Sequence, residues 1–348
     1  MLNSDFKPII SIVIPLFNGE EFLTDTLNSI ISQIDPDKVE LVLCDDLSTD
    51  NTYKIAENFA QNKNIKLFKN KKNLGMDDNF EKVVSYATGE YIWFCGQDDI
   101  FGEGVIKKVL SIIKNNPKID FIFINYSQNS HDMSEIITQK ILNLDNDVLC
   151  NNPNEFYSKI LDPNLGPIFP SFLPAYVLRK SLWNKGEKKP FYGTQFIQLG
   201  VFFSLITNLT MYIIAFPYIK GRVPNNKWQQ DILKLLDITS GDVETFTYAY
   251  KNYKDAIPYE IYKRSFDVKR KWIINQIYRI KKEKLKLNNK LLSRFNYIFG
   301  KKDLLIIYLM YFLPLSPLFN KIFCIIKRSM KDCINLFMKS IYTVNNLK

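Results

Sequence analysis

Two pairs of adjacent aspartates are placed where they could do chemistry. Asp45-Asp46 directly follow the apolar run VELVLC (39–44), and Asp98-Asp99 follow YIWFCGQ (91–97). Continuous rather than alternating apolarity predicts strands buried on both faces. A carboxylate pair leaving such a strand is costly unless a positive partner meets it. A divalent cation bridging a diphosphate would suit these hard oxygen ligands. Helix capping is the competing explanation. It suits Asp50, in DDLSTDNT, better than a ligand role does. It suits Asp98-Asp99 poorly, because the next helical pattern begins several residues later. The chain has five cysteines, no CxxC pair and one histidine, His131. A Cys/His zinc site is thereby excluded, and scattered cysteines in odd number fit a reducing cytosol. His131, in SQNSHDMSE, reads as a solvated loop residue.

The elements that must position these acids alternate. Strands are predicted over 9–14, 39–44, 65–68, 91–95 and 120–125, and helices over 21–34, 50–61, 79–87 and 103–115. Repeated strand–helix units of this length predict an α/β fold with a mostly parallel sheet. Ligands bind such sheets beyond the carboxyl ends of the strands. That rule points to Pro15–Asn18, Asp45–Ser48, Lys69–Asn73 and Gly96–Asp99. Pro163, Pro167, Pro170 and Pro174 mark a constrained loop, followed by a helix over 194–205 and a strand over 210–216. Helical patterns dominate from Gln229.

Three blocks then carry a resemblance: SIVIPLFNGEEFLTDTLNSI, LVLCDDLSTDNT and NKKNLGMDDNFEKVVSYATGEYIWFCGQDD. In this order and spacing they resemble a family-2 glycosyltransferase of the GT-A fold, over roughly Pro8 to Asn125. A weaker likeness to the abequosyltransferase-like branch, whose members build O-antigen and other polysaccharides, continues through SLWNKG, FYGTQFIQLG and FPYIKGRVPNNKW. The resemblance implies sugar transfer from a nucleotide diphosphate donor with inversion at the anomeric carbon. Pro15, Phe17 and Asn18 would line the nucleotide pocket, and Asp45 would contact base or ribose with Asp46 beside it. Asn73, Gly75 and Asn79 would cross the donor site. Gln97, Asp98 and Asp99 occupy the D-x-D region, where Asp98 and Asp99 would hold Mn²⁺ or Mg²⁺ and Gln97 would touch ribose or phosphate. Simpler roles stand beside these. Gly75 would permit a turn, Asn79 would cap its helix, and Pro15 and Asn18 would form a turn.

Two departures from the family pattern bear on mechanism. The first acid of the D-x-D region is absent, since the chain reads Gly96-Gln97-Asp98-Asp99. Inverting transfer also needs a group to take the acceptor's proton. FYGTQFIQLG offers Gln195 and Gln198, and amides are not bases at neutral pH. Glu187 and Asp162 are substitutes, and the base stays unassigned. A catalytically inactive carbohydrate-binding protein or scaffold is therefore an alternative. A nucleotidyltransferase is another, although PLFNGEEF lacks the basic phosphate loop that activity needs.

Hydrophobic residues at 46% and charged residues at 24% exclude a mainly disordered chain. The net charge of +10 is unevenly placed. Residues 262–348 hold 20 Lys/Arg and 4 Asp/Glu, so the remainder is acidic. The expected division is a GT-A domain over 1–228, with a nucleotide half at about 8–126 and an acceptor half at about 127–228. A helical basic region follows over 229–348. Basic residues around Trp272, Ile273, Ile277, Tyr278 and Ile280, then the apolar stretch with Leu304, Ile307, Phe319, Ile322 and Phe323, predict docking on an anionic membrane surface. No recognised nucleic-acid module is present. No signal peptide is recognisable, and Pro314 and Pro317 interrupt the longest apolar run before the ~18 to 20 residues a spanning helix needs. The expected location is the cytoplasmic face of a membrane, with a saccharide on a polyprenyl carrier as acceptor.

Overall fold

The computed structural model describes residues 7–160, 171–222 and 231–312. Asp162, Pro163, Pro167, Pro170 and the tail from Leu313 onward, with Phe319, Ile322 and Phe323, lie outside the described residues.

The first half runs β1 (Ile10–Leu16), α1 (Leu23–Ile31), β2 (Val39–Asp45), α2 (Thr52–Phe59), β3 (Ile65–Lys69), α3 (Met76–Tyr86) and β4 (Tyr91–Phe94). After these come β5 (Ile100–Phe101), α4 (Val105–Asn115) and β6 (Phe121–Asn129). The second half adds β7 (Ile136–Thr138), β8 (Val148–Cys150), α5 (Pro153–Ile160), β9 (Tyr176–Arg179), α6 (Lys180–Lys185), α7 (Ile197–Leu205) and β10 (Met211–Arg222). One mixed sheet results, in the order β3-β2-β1-β4-β9-β6-β10-β5. The long neighbours β3-β2-β1-β4 and β6-β10 run parallel, as expected of strand–helix crossovers. Strand β9 enters antiparallel between β4 and β6. It directly follows the proline-marked stretch and is four residues long, too short for apolar periodicity to betray a strand.

Strands β1 and β2 are buried almost throughout, which explains their continuous apolarity. The main core extends across the sheet and reaches Phe246, Ala249, Ala256 and Ile257. These residues belong to, or follow, helix α8 (Ile232–Asn252). Helices α9 (Tyr259–Lys282), α10 (Asn289–Ile298) and α11 (Lys301–Phe312) complete the described chain. They form a second core with Ile232, Leu236 and Val243 of α8. Ile273, Ile277, Ile280 and Ile307, expected to face a membrane, are buried in this second core at 0–1% exposure. Leu304 and Tyr311 pack against it. The bundle removes these side chains from water without a lipid phase, because α9 and α11 face one another and Arg270 clasps Asp303. Among the described residues no helix is long and apolar enough to cross a membrane.

Candidate active site

Strands β1 and β4 pair as far as Val13 and Phe94, while β1 and β2 stay paired to Leu16 and Asp45. The ladder between β1 and β4 therefore stops short of the one between β1 and β2. Pro15 lies inside β1, in register with Cys44, beyond the last β4 pairing. Its missing N–H is tolerated there because no β4 partner remains to receive it.

Asp98 and Asp99 converge over Gly96, just beyond the end of β4. Asp99 Oδ2 and Asp98 Oδ1 lie 2.5 and 2.9 Å from the point where a Cβ on Gly96 would stand. Glycine is required at 96 because any side chain would fill the space the two carboxylates share. Burial raises the pKa of both acids, and the charge of Asp98 raises that of Asp99 further. The Gly96 main-chain N–H and the nearby Arg222 guanidinium oppose the rise at Asp99 without cancelling it. Such a pair calls for more positive charge than the chain supplies. Among the described residues no group of three or more His, Cys, Asp or Glu side chains is arranged to hold a metal. Two carboxylates nevertheless suit Mg²⁺-like ions, which take their remaining oxygens from substrate phosphates and water. The cradle over Gly96 and its all-oxygen donors fit a hard divalent cation.

Arg222, at the end of β10, was not singled out by sequence reasoning, although it lies in FPYIKGRVPNNKW. Its guanidinium donates to the carbonyl oxygens of Asp98 (2.8 Å) and His131 (2.5 Å) and stacks over Phe22 at 4.4 Å. It thereby ties the acidic turn to α1 and to the β6–β7 hairpin. His131 is not the solvated residue expected. It is half-buried, packs edge-on against Phe22 with centroids 4.9 Å apart, and sets Nε2 3.7 Å from Glu21.

The other predicted residues divide into those turned inward and those left open. Asp45 is fully buried, and its Oδ2 accepts the Ser48 N–H at 3.1 Å. Its Oδ1 is buried without a hydrogen-bond partner. Asp46 is saturated: its carboxylate accepts from Asn70 Nδ2 and from the N–H groups of Leu74 and Gly75 at 2.8–2.9 Å. Asn73 donates to the Asp46 carbonyl. Gly75 has φ +84° with open space around it, so backbone conformation alone demands glycine. Asn79 does not cap α3; it is buried in the helix, accepting from Asn70 and donating to the Cys44 carbonyl. Asn18, at φ +48°, accepts the Thr49 N–H at 2.8 Å. Gln97 exchanges both amide atoms with the Phe17 main chain at 2.9 Å, cross-linking the β1 and β4 ends. Asp50 accepts from Thr52 N at 2.9 Å and Glu20 N at 3.2 Å, but the N-cap of α2 is Asn51, so Asp50 braces the helix start from one residue ahead of the cap. Phe17, Leu47 and Met76 remain 46%, 42% and 52% exposed beyond the strand ends.

The stretch FYGTQFIQLG sits beside α3. The predicted helix over 194–205 begins only at Ile197, because Gln195 takes φ +72° and the N–H groups before it turn to Asp77. Asp77 Oδ2 accepts from Gly193 N (2.8 Å) and Gln195 N (2.9 Å), and its Oδ1 from Ile197 N (3.4 Å). Asp77 also went unrecognised; in sequence it is one of two acids at a helix start. Gln198 is buried with its Oε1 unpartnered. Glu187 accepts from the Tyr253 hydroxyl at 2.6 Å, and its main chain is held by Ser204 in the last turns of α7.

A large, mostly parallel α/β sheet with crossover helices and acids beyond the ends of β2 and β4 is a GT-A-like fold. Residues 11–176 match the family model Glycosyl transferase family 2. The abequosyltransferase RfbV of Salmonella typhimurium is 28% identical over 64% of this chain and 69% of its own length. The Escherichia coli UDP-Glc:alpha-D-GlcNAc-diphosphoundecaprenol beta-1,3-glucosyltransferase WfgD is 33% identical over 34% of this chain and 46% of its own length. In fold, the chain is similar to Staphylococcus aureus TarS 1-349 in complex with UDP. That likeness has a TM-score of 0.52 at 15% identity and covers 95% of this chain and 89% of TarS 1-349.

Proposed function

We propose that the chain transfers a sugar, with inversion, from a nucleotide diphosphate donor to a saccharide acceptor on a polyprenyl carrier during surface polysaccharide synthesis. The observation that carries the reading is the convergence of Asp98 and Asp99 over Gly96, just beyond the end of β4. These two residues would hold Mn²⁺ or Mg²⁺, which supplies charge neutralisation for the departing diphosphate. Asp45 Oδ1 would accept a hydrogen bond from ribose or base, and exposed Phe17 and Leu47 offer apolar faces at the same edge. The acceptor oxygen forms the new bond to the anomeric carbon as the bond to the diphosphate breaks, and its proton must leave. Neither Gln195 nor Gln198 can take that proton. The printed activities of RfbV and WfgD, an abequosyl and a glucosyl transfer, support the substrate class. The basic excess of residues 262–348 supports docking at the cytoplasmic membrane face.

The test is nucleotide release from a panel of UDP-, GDP-, CDP- and dTDP-sugars, with and without Mn²⁺. One nucleotide class should be turned over and EDTA should stop it. Asp98→Asn and Asp99→Asn should each cut turnover ~100-fold, the scale on which site electrostatics act. Full activity in both variants or in EDTA would refute the metal role. No turnover of any donor, with nucleotide binding intact, would favour an inactive binding protein.

A further inference from the structure

The first turn of α3 is bonded in two directions. Just ahead of it, the Leu74 and Gly75 N–H groups donate to Asp46 at the end of β2. Within the turn, Asp77 gathers three main-chain N–H groups of the 193–197 turn and is only 5% exposed. One turn of helix thus joins the loop at the nucleotide end of the sheet to a segment from the second half of the chain. The same segment is held from outside by the helical region. Arg294 of α10, 4% exposed, donates to the Gly193 carbonyl at 2.6 Å and to Asp237 Oδ1 at 2.7 Å. Asp237 of α8 accepts from Gln195 Nε2 at 2.9 Å. Gly241 lets α8 approach so closely that a Cβ there would lie 2.0 Å from the Thr194 carbonyl oxygen. Between these two supports Gln195 is kept at φ +72°, a conformation a non-glycine residue holds only when its surroundings over-determine it.

We propose that Asp77 is a positioning residue for transfer, one that fixes the 193–197 turn relative to the donor loop so that the acceptor is presented to the donor sugar. Arg294 and Asp237 hold the other side of the turn. The inference rests on the glycosyltransferase reading and adds a residue to it. Asp77 has no reacting role here, because its oxygens are already engaged by main-chain N–H groups. Its removal should leave the nucleotide contacts at Asp45 and Asp98-Asp99 in place and let the turn drift. A misplacement of about 1 Å can cost ~100-fold in rate.

Asp77→Asn keeps the side chain's shape but sets an amide donor against main-chain donors. Gln195→Gly keeps the φ +72° accessible while removing the link to Asp237. Both would be made in the full chain. The readouts are binding of UDP, GDP, CDP and dTDP with Mn²⁺, release of nucleotide from the sugar-nucleotide panel without acceptor, and incorporation of labelled sugar into membrane lipid extract. Amide exchange at 193–197 reports the turn itself. Asp77→Asn should speed exchange at Gly193, Gln195 and Ile197 and cut incorporation ~100-fold, while nucleotide binding and release to water stay within about threefold, under 1 kcal/mol. Gln195→Gly should show the same split more weakly, and Asp77→Glu should not restore it, its carboxylate being displaced by one methylene. Parallel losses in binding, release and incorporation would overturn the proposal, leaving Asp77 a general prop. So would unchanged incorporation despite faster exchange. A wild-type chain that releases no nucleotide would instead refute the glycosyltransferase reading itself.

Discussion

Asp99 and Asp45 are buried acids with opposite deficits. Asp99 has too much negative charge around it, and Asp45 has an oxygen with no donor. The folded-state pKa of Asp99 is raised, so the acid is neutral in both states below its unfolded value of ~3.9. As pH rises through the interval up to the folded value, the unfolded chain ionises first and stability falls. Asp99→Asn should therefore gain on the wild type in thermal unfolding as pH rises above about 4. Mn²⁺ should narrow the gap by stabilising the wild type; a pH-independent difference would contradict the raised pKa. Asp45→Asn should weaken nucleotide binding about tenfold or more, the loss of one hydrogen bond to a charged group. Asp50→Ala should instead cost ~1 kcal/mol of stability at unchanged affinity, the loss of its hydrogen bonds to the Thr52 and Glu20 main chain. Calorimetric titration and chemical denaturation separate the two, and the reverse pattern would exchange their roles.

At the scale of elements, two glycines support different loops for different reasons. Gly75 has ψ 168° with its φ of 84°, a region almost reserved for glycine. Alanine there meets no neighbour, so its cost is purely conformational, roughly 1–3 kcal/mol. Gly75→Ala should displace an N–H from Asp46 and raise the nucleotide dissociation constant. Gly241 is helical and unstrained, yet its Cβ would strike the Thr194 carbonyl. Gly241→Ala must push α8 from the 193–197 turn and should impair incorporation of sugar more than nucleotide binding. Equal effects of the two substitutions on binding would show that the two loops do not act separately.

For the whole molecule, the helical region shares side chains with the catalytic half. Phe246 of α8 lies in the main core and Val243, three residues earlier, in the second. Burying one such side chain contributes about 1.5–3 kcal/mol. A chain ending at Arg222 should therefore be insoluble or unfold at low denaturant, since it loses Phe246, Ala249 and the Arg294 support together. The solubility and melting of that truncation test this directly; a stable, nucleotide-binding fragment would show two independent units. Because Ile273, Ile277 and Ile307 are occupied in their own core, the described helices meet anionic vesicles mainly through charge, with only scattered apolar side chains such as Leu305 and Tyr259 left exposed. Their contribution to vesicle binding should be released by salt, since screening at ~0.15 M limits reach to ~8 Å.

Much of this protein was legible in its residues. Buried parallel strands need apolar side chains on both faces, so VELVLC and YIWFC announce themselves. Carboxylates stranded at their ends mark the carboxyl edge of the sheet, as Asp45 and Asp98-Asp99 do. Side-chain direction was not legible. Asp45 and Asp46 are neighbours of the same type, yet one leaves an oxygen unpartnered and the other is saturated by Asn70, Leu74 and Gly75. Asn79 and Gln97 have the types expected of ligand contacts and are turned onto the main chain. Asp77 and Arg222 carry no local signal, because their partners lie 116 to 120 residues away for Asp77 and as far as 197 for Arg222. Apolar residues on α9 and α11 have the pattern of a membrane face and of a bundle alike. Periodicity records that a face is buried, and only the packing of the chain upon itself decides what buries it.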